Sequence, residues 1–424
     1  MMTNTYTLKY KFTKNIIPSI FYIFPPIALI CLYFYSHSFA PFFTLITHYS
    51  PLPASTPTEI EKAYEKTCDY SIGKWVHDKR EPLYNATTCS NIKQSLNCIS
   101  NGRPNTTYQY WRWKPSECNL PMFKPNTFLN LIKNKQIAFV GDSLARNQID
   151  SLICLLSTTS TPQGSQHKGS TKWYFPSHNA NVSIYWSPFL VKGEQRKNKG
   201  PNYNTIFLDH VNEKWANDIN EMDLVVLSFG HWFMVPSIYY EGDSVLGSHD
   251  LKFNYPKIGF YVPFRKALRT ALNSIIDGRG NNSSKGNNGI DVIVTTYSPT
   301  HFEGDWDKGG TCSKSEPYEN EEKKLEGMDD ELRKIEFEEV ENAKVKAKEF
   351  GGIRFEILDI TKLALLRPDG HPGAYMNPFP FAKGVPKHVQ NDCVHWCLPG
   401  PIDTWNEVFL ETMKKWDQRS QKEK

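Results

Sequence analysis

At 424 residues, 39% hydrophobic and 22% charged, the chain is long enough to bury a sizeable core and to hold more than one domain. Its net charge of +4, from 49 Lys+Arg against 45 Asp+Glu, is mild and evenly spread, which argues against a nucleic-acid partner.

Residues 1–14 carry Lys9, Lys11 and Lys14 and read as a cytosolic tail. From Asn15 to Thr58 there is no Asp, Glu, Lys or Arg, and Ile16 to Tyr35 is almost wholly apolar and aromatic. Such a run can span a bilayer, and Pro18, Pro25 and Pro26 are better tolerated in a membrane helix than in a soluble one. With lysines before the run and Glu59 and Glu61 after it, the charge asymmetry predicts a single transmembrane helix over 15–36. It would be a type II signal anchor with the bulk of the chain in a lumen. A signal peptide cut after Ser38-Phe39-Ala40 is the alternative, but the apolar run is long for one and Pro41 would follow the cut. Residues 37–67 contain a Pro/Ser/Thr-rich stretch and read as a stem linker.

Lumenal exposure agrees with the sequons at Asn85, Asn105, Asn181, Asn281 and Asn282. Of nine cysteines, Cys31 falls in the apolar run and eight remain. An even number in an oxidising compartment predicts disulfides, and the spacings alone leave the pairing open. Residues 68–125 are Cys-dense and aromatic, with Trp75, Tyr108, Tyr110, Trp111 and Trp113, and read as a small stapled lobe.

Over residues 126–424, β-type runs alternate with helical patterns. The strands are expected at Gln136–Val140, Asp223–Phe229, Asp291–Tyr297 and Ile353–Leu358. The helices are expected at Leu144–Leu156, Phe260–Ile276, Glu321–Phe350 and Ile402–Trp416. The alternation implies βαβ units, hence an α/β domain with a parallel sheet covered by helices on both faces. Residues 159–170 and 278–289 read as surface loops. In open sheets of this kind sites form beyond the carboxyl ends of strands, where Ser143, Gly230 and His231 should lie.

Gly141-Asp142-Ser143 follows the first of these strands directly, and Asp392-Cys393-Val394-His395 lies far along the chain. A serine hydroxyl is a weak nucleophile until an imidazole takes its proton, and the imidazole works best when a carboxylate fixes its tautomer. Ser143, His395 and Asp392 supply those three groups, which points to acyl chemistry. Asp142 is expected to shape the turn, and Arg146 and Asn147 to sit within a turn of the nucleophile. Gly230 and His231 are candidate oxyanion donors. Trp232 reads as core more readily than as a sugar platform, and His301 is a weaker candidate. The turn-rich run Arg367 to Gly373 is a candidate lining of an acceptor groove. A zinc site at Cys393, His395 and Cys397 is disfavoured, because no second Cys pair lies at zinc-finger spacing and a lumen favours disulfides; no metal is expected.

Three runs together resemble the plant trichome birefringence-like family, Golgi polysaccharide O-acetyltransferases related to the GDSL/SGNH esterases. They are Gly141 to Gln148, Tyr110-Trp111-Arg112-Trp113-Lys114-Pro115, and Asp392 to Pro401. The segments Phe175 to Asn179, Trp186 to Val191 and Gly230 to Phe233 look like its xyloglucan or mannan branch rather than its xylan branch. The resemblance spans about Cys68 to Trp416 and implies an SGNH-like fold with Ser143, His395 and Asp392 as the triad. It also implies the disulfides Cys68 with Cys118, Cys89 with Cys154, Cys98 with Cys397, and Cys312 with Cys393. The third block of the related esterases, with Asn beside Gly, is not present as such, and Gly230-His231 stands in its place. The implied activity moves an acetyl group through acetyl-serine to a hemicellulose hydroxyl, foremost the side-chain galactose of xyloglucan, with glucomannan as the close alternative. The donor would be acetyl-CoA or another acetylated intermediate, supplied with the help of a membrane protein, and the chain would sit in the Golgi membrane with its catalytic domain lumenal. Two rivals remain: an acetylesterase that uses water as acceptor, and a glycan-binding protein that stacks sugars on Trp111, Trp113 and Trp232.

Overall fold

The structure is a computed structural model that describes residues 68–422 apart from 168, 198, 251, 253, 281–288 and 386. The N-terminal part begins with strand β1 (Gly73–His77), which pairs antiparallel with β2 (Trp111–Pro115). Helix α1 (Pro125–Leu131) follows, then β3 (Gln136–Gly141) and helix α2 (Ser143–Ser157). Next come β4 (Gln163–His167), β5 (Ser170–Phe175), β6 (Ala180–Trp186), β7 (Val191–Glu194), β8 (Asn204–Val211) and β9 (Leu224–Ser228). The hairpin β10 (Ser237–Glu241) and β11 (Ser244–His249) leads into helix α3 (Tyr261–Gly280). Strand β12 (Ile290–Thr295), helix α4 (Gly327–Ala347), strand β13 (Ile353–Leu358) and helix α5 (Asp403–Lys422) complete the order.

The central sheet has seven strands in the order β13-β12-β9-β3-β6-β5-β4. Its first five strands run parallel, while β5 and β4 add an antiparallel flank. Alternation along a strand sends successive side chains to opposite faces. Accordingly, Ile137 and Phe139 join a core formed with α1, α2 and α5, whereas Ala138 and Val140 join a second core formed with α3 and α4. Each such fully buried large side chain is worth roughly 1.5–3 kcal/mol. Helices therefore do cover both faces.

Four features depart from expectation. The spanning helix expected over 15–36, with its tail and stem, lies outside the described residues, and among the described residues no helix is long and apolar enough to cross a membrane. The fold class is corrected accordingly to α/β with no spanning helix among the described residues, whose long helices carry charged faces, as Asp329, Asp330, Lys344 and Lys346 on α4 show. A second sheet, in the order β11-β10-β8-β7, was not expected. Residues 163–167 form a strand inside the expected loop 159–170. The sheet is also mixed rather than parallel throughout, because β4, β5 and β6 form a meander whose short turns can join only antiparallel neighbours.

Four disulfides join Cys68 to Cys118, Cys89 to Cys154, Cys98 to Cys397 and Cys312 to Cys393. Two of them fasten the N-terminal segments to the sheet domain. Further ties come from Tyr84, whose hydroxyl donates to Asp403 at 2.7 Å, and Trp75, whose indole donates to the Leu363 carbonyl at 2.8 Å. Asn85 is exposed, Asn105 half-buried, and Asn181 sits in β6 between β3 and β5; Asn281 and Asn282 lie outside the described residues.

Candidate active site

Ser143 is the first residue of α2, at the carboxyl end of β3. The turn that delivers it is dictated by close packing. A Cβ on Gly141 would overlap the Ser228 carbonyl oxygen of β9, so only glycine lets the two strand ends approach. Asp142 caps the helix: its backbone amide donates to the Ser228 carbonyl at 3.1 Å and its carboxylate accepts from the Leu144 amide at 2.9 Å. This carboxyl is fully buried, and burial raises its pKa to about 6 against the pull of the Leu144 amide and the His395 charge. The amides of Gly230 and His231 also face it, while its Oδ2 lacks a full hydrogen bond. The expected oxyanion donors are thus turned toward Asp142. His231 is held neutral, its pKa lowered to about 3 by burial and then by the His395 charge, and its Nδ1 lies 3.3 Å from the Tyr297 hydroxyl.

Asp392 and His395 meet within one turn. His395 Nδ1 lies 2.7 Å from Asp392 Oδ2, and Asp392 Oδ1 accepts from the amides of Val394 at 3.0 Å and His395 at 2.9 Å. Burial pulls the Asp392 pKa up, but the His395 charge and these hydrogen bonds overcome it and hold the carboxyl at about 2. For His395 burial pulls the other way, and the Asp392 carboxylate, helped by the Asp142 charge, raises the imidazole above its usual range. Nδ1 is committed to the carboxylate, so Nε2 is the nitrogen available for proton transfer.

Among the described residues no hydrogen bond joins Ser143 to His395. Their two segments are nonetheless fastened together by Asn147, one turn beyond Ser143. Its carboxamide oxygen accepts from the Trp396 amide at 2.7 Å and its nitrogen donates to the Trp396 carbonyl at 3.2 Å. The disulfides at Cys393 and Cys397 grip the loop on either side of His395, and Gly373 and Asp392 exchange backbone hydrogen bonds of 2.8 and 3.1 Å. Both cysteines being oxidised, neither offers a thiolate to a metal.

The other expected site residues divide. Asn147 is fully buried, so it positions the loop rather than meeting substrate. Arg146 is half-buried and shares an electrostatic cluster with Lys93 and Asp150. Trp111 is half-buried and lines a small cleft with Tyr108, Arg112 and Glu407. Trp113 is core: it is 3% exposed, with its indole donating to the Tyr70 carbonyl at 2.7 Å and its ring edge-on to Trp75. The run from Arg367 to His371 is buried too, around the ion pair of Arg367 with Asp369 at 2.8 Å. That pairing of complementary charges lets a polar sequence go inside, with Arg367 bordering the Trp111 cleft. The burial of His371 within that run has no signature at the level of composition.

Residues 120–412 match the GDSL/SGNH-like acyl-esterase family found in Pmr5 and Cas1p, and residues 66–119 match the PMR5 N-terminal domain. The chain belongs to that acyl-esterase family. It is 54% identical over 421 residues to xyloglucan O-acetyltransferase 1 of Populus trichocarpa, covering 98% of this chain and 96% of that protein. It is 48% identical to xyloglucan O-acetyltransferase 1 of Arabidopsis thaliana, with 83% and 82% covered. Protein trichome birefringence-like 25 of Arabidopsis thaliana is 39% identical, with 85% and 80% covered.

Proposed function

We propose that this protein is a polysaccharide O-acetyltransferase that works by double displacement on Ser143. The observation that carries the reading is the His395–Asp392 pair, hydrogen-bonded at 2.7 Å and pinned through Asn147 to the helix that begins with Ser143. In the first half-reaction the Ser143 oxygen bonds to the acetyl carbonyl carbon while its proton passes to His395 Nε2. The donor's leaving group then departs with that proton. In the second, a sugar hydroxyl gives its proton to His395 and attacks acetyl-serine, and Ser143 leaves as an alcohol by taking the proton back. Asp392 holds the tautomer and stabilises the cation. The Ser143 amide stabilises each oxyanion, that of Leu144 being already taken by Asp142. The Ser143–His395 hydrogen bond forms when the donor binds, since catalytic hydrogen bonds commonly close only in the substrate complex.

The acceptor we favour is xyloglucan, at a side-chain galactose, on the strength of relatives that carry that name across nearly the whole chain. The donor is acetyl-CoA or another acetylated intermediate. Four disulfides support work in an oxidising lumen such as that of the Golgi. The test offers xyloglucan and glucomannan oligosaccharides in parallel with an acetyl donor and weighs the products by mass spectrometry. Acetylated xyloglucan is the expected product. Free acetate without acetylated sugar would make the protein an esterase, and acetylated glucomannan alone would move the acceptor.

A further inference from the structure

Behind the catalytic loop two buried histidines form a chain of three contacts. His301 Nε2 lies 2.8 Å from the Leu365 carbonyl oxygen, His301 Nδ1 lies 2.7 Å from His371 Nε2, and His371 Nδ1 lies 2.7 Å from the carbonyl oxygen of His395 itself. A carbonyl oxygen only accepts, so each outer nitrogen must carry a proton. The two inner nitrogens then face each other at hydrogen-bond distance, and one proton has to lie between them. The row needs three protons, whereas two neutral imidazoles bring two.

We propose that His301 and His371 share a third proton as a buried imidazole–imidazolium pair, and that His371 is thereby a positioning residue for His395. The second clause rests on the proposed function; the proton count does not. His371 is 3% exposed and His301 8%, so no solvent replaces a missing proton. The Trp396 ring stacks on His371 at 4.2 Å and 26°, a face that favours a cation. Around the pair stand the carboxylates of Asp369 and Asp392 and the cations of Arg367, Lys323 and His395. Arg103 donates to the His371 and Asp369 carbonyls at 2.7 and 2.6 Å, and Tyr318 lies 6.2 Å from the His301 ring.

Burial opposes the charge. It lowers His301 to about 4 even against the raising pull of the Leu365 carbonyl, and it lowers His371 in the same direction, reinforced by the His301 charge and opposed by the His395 carbonyl, so the pair holds at most one extra proton. The ring-to-ring contact opposes that pull, since losing the proton sets two lone pairs against each other. The proton is therefore released as pH rises. One contact must then open, and the loop that carries His395 loosens on the basic side.

Two measurements on the full chain decide the matter. Nitrogen-15 spectra of the two rings, assigned with His301→Gln and His371→Asn, should show three nitrogen-bound protons at about pH 6. Two neutral rings there would overturn the proposal. The second readout is acylation of Ser143 by a small activated ester as a function of pH. His371→Asn keeps an N–H aimed at the His395 carbonyl but has no proton to lose. It should acylate within about threefold of wild type on the acidic side and lack the wild-type fall on the basic side. His371→Leu, with no donor, should be slower throughout. An unchanged basic-side fall in His371→Asn would overturn the positioning role. If the wild type never acylates, the functional reading fails while the ring-proton count still judges the pair.

Discussion

The two halves of the candidate site are held by different physics. Ser143 is delivered by regular structure: a buried parallel strand, a glycine forced by the neighbouring strand end, an aspartate cap and a helix. His395 sits on an irregular loop that owes its place to two disulfides, the Asn147 carboxamide, a backbone exchange with Gly373 and the hydrogen bond to His371. The comparison teaches that the candidate nucleophile is placed by regular structure and one neighbouring strand end, while the candidate base depends on separate pins, from His371, 24 residues back, to Asn147 and Cys98, 249 and 299 residues away. Changes at the first half should therefore remove chemistry without loosening the fold, and changes at the second should alter both.

The largest effect belongs to Ser143→Ala, expected to lower transfer by about 10⁵-fold or more with an unchanged melting temperature. Transfer retained by the folded variant would break the comparison at its first half. Asp392→Asn comes next, with a loss on the order of 10³–10⁴-fold because the imidazole loses its tautomer and its charge partner.

The same residue sets the pH behaviour. Since His395 is raised and must be neutral to accept a proton, the rate should fall as pH drops through a value above the usual imidazole range near 6.5. In Asp392→Asn the midpoint of the remaining activity should move down; a midpoint that stays put would mean another group governs the limb. For stability the two signs are opposite. The depressed Asp392 contributes stability above about 3.8 that is lost as pH falls toward about 2, and the raised His395 contributes stability at low pH that is lost as pH rises through its folded value.

Asn147→Leu sharpens the second half. It strands the Trp396 amide and carbonyl in the core, so it should cost roughly 2–4 kcal/mol in urea unfolding and lower kcat about 10–100-fold with little change in KM. A loss confined to KM would return Asn147 to the substrate. The smallest effect is expected from Trp113→Phe, which removes the donor to the Tyr70 carbonyl. About 1 kcal/mol of stability should go, with acceptor KM unchanged. A raised KM would make Trp113 a sugar contact after all.

What was legible in the sequence follows the same division. Strand β13 coincides with its expected range because Ile353, Phe355 and Ile357 alternate with Arg354 and Glu356, and β3 and α2 lie within a residue of theirs because a buried parallel strand reads as an uninterrupted apolar run and a capped helix opens on turn residues. The Asp392–His395 contact was legible from a spacing of one turn. The sheet formed by β7, β8, β10 and β11 was not, since its strands mix polar and apolar residues and draw their partners from distant segments. Nor were the roles of Asn147, Arg367 and His371, polar residues buried only because a partner far along the chain satisfies them. The cation of Arg367 needs Asp369 and the Tyr108 carbonyl before it can enter the core, and no local pattern announces the latter.

The most direct test of the central claim is mass spectrometry of the peptide containing Ser143 after brief exposure of the protein to an acetyl donor without acceptor sugar. An acetyl group on Ser143 that disappears when oligosaccharide is added is the predicted result. Acetylated oligosaccharide formed by a chain that never carries acetyl on Ser143 would contradict it.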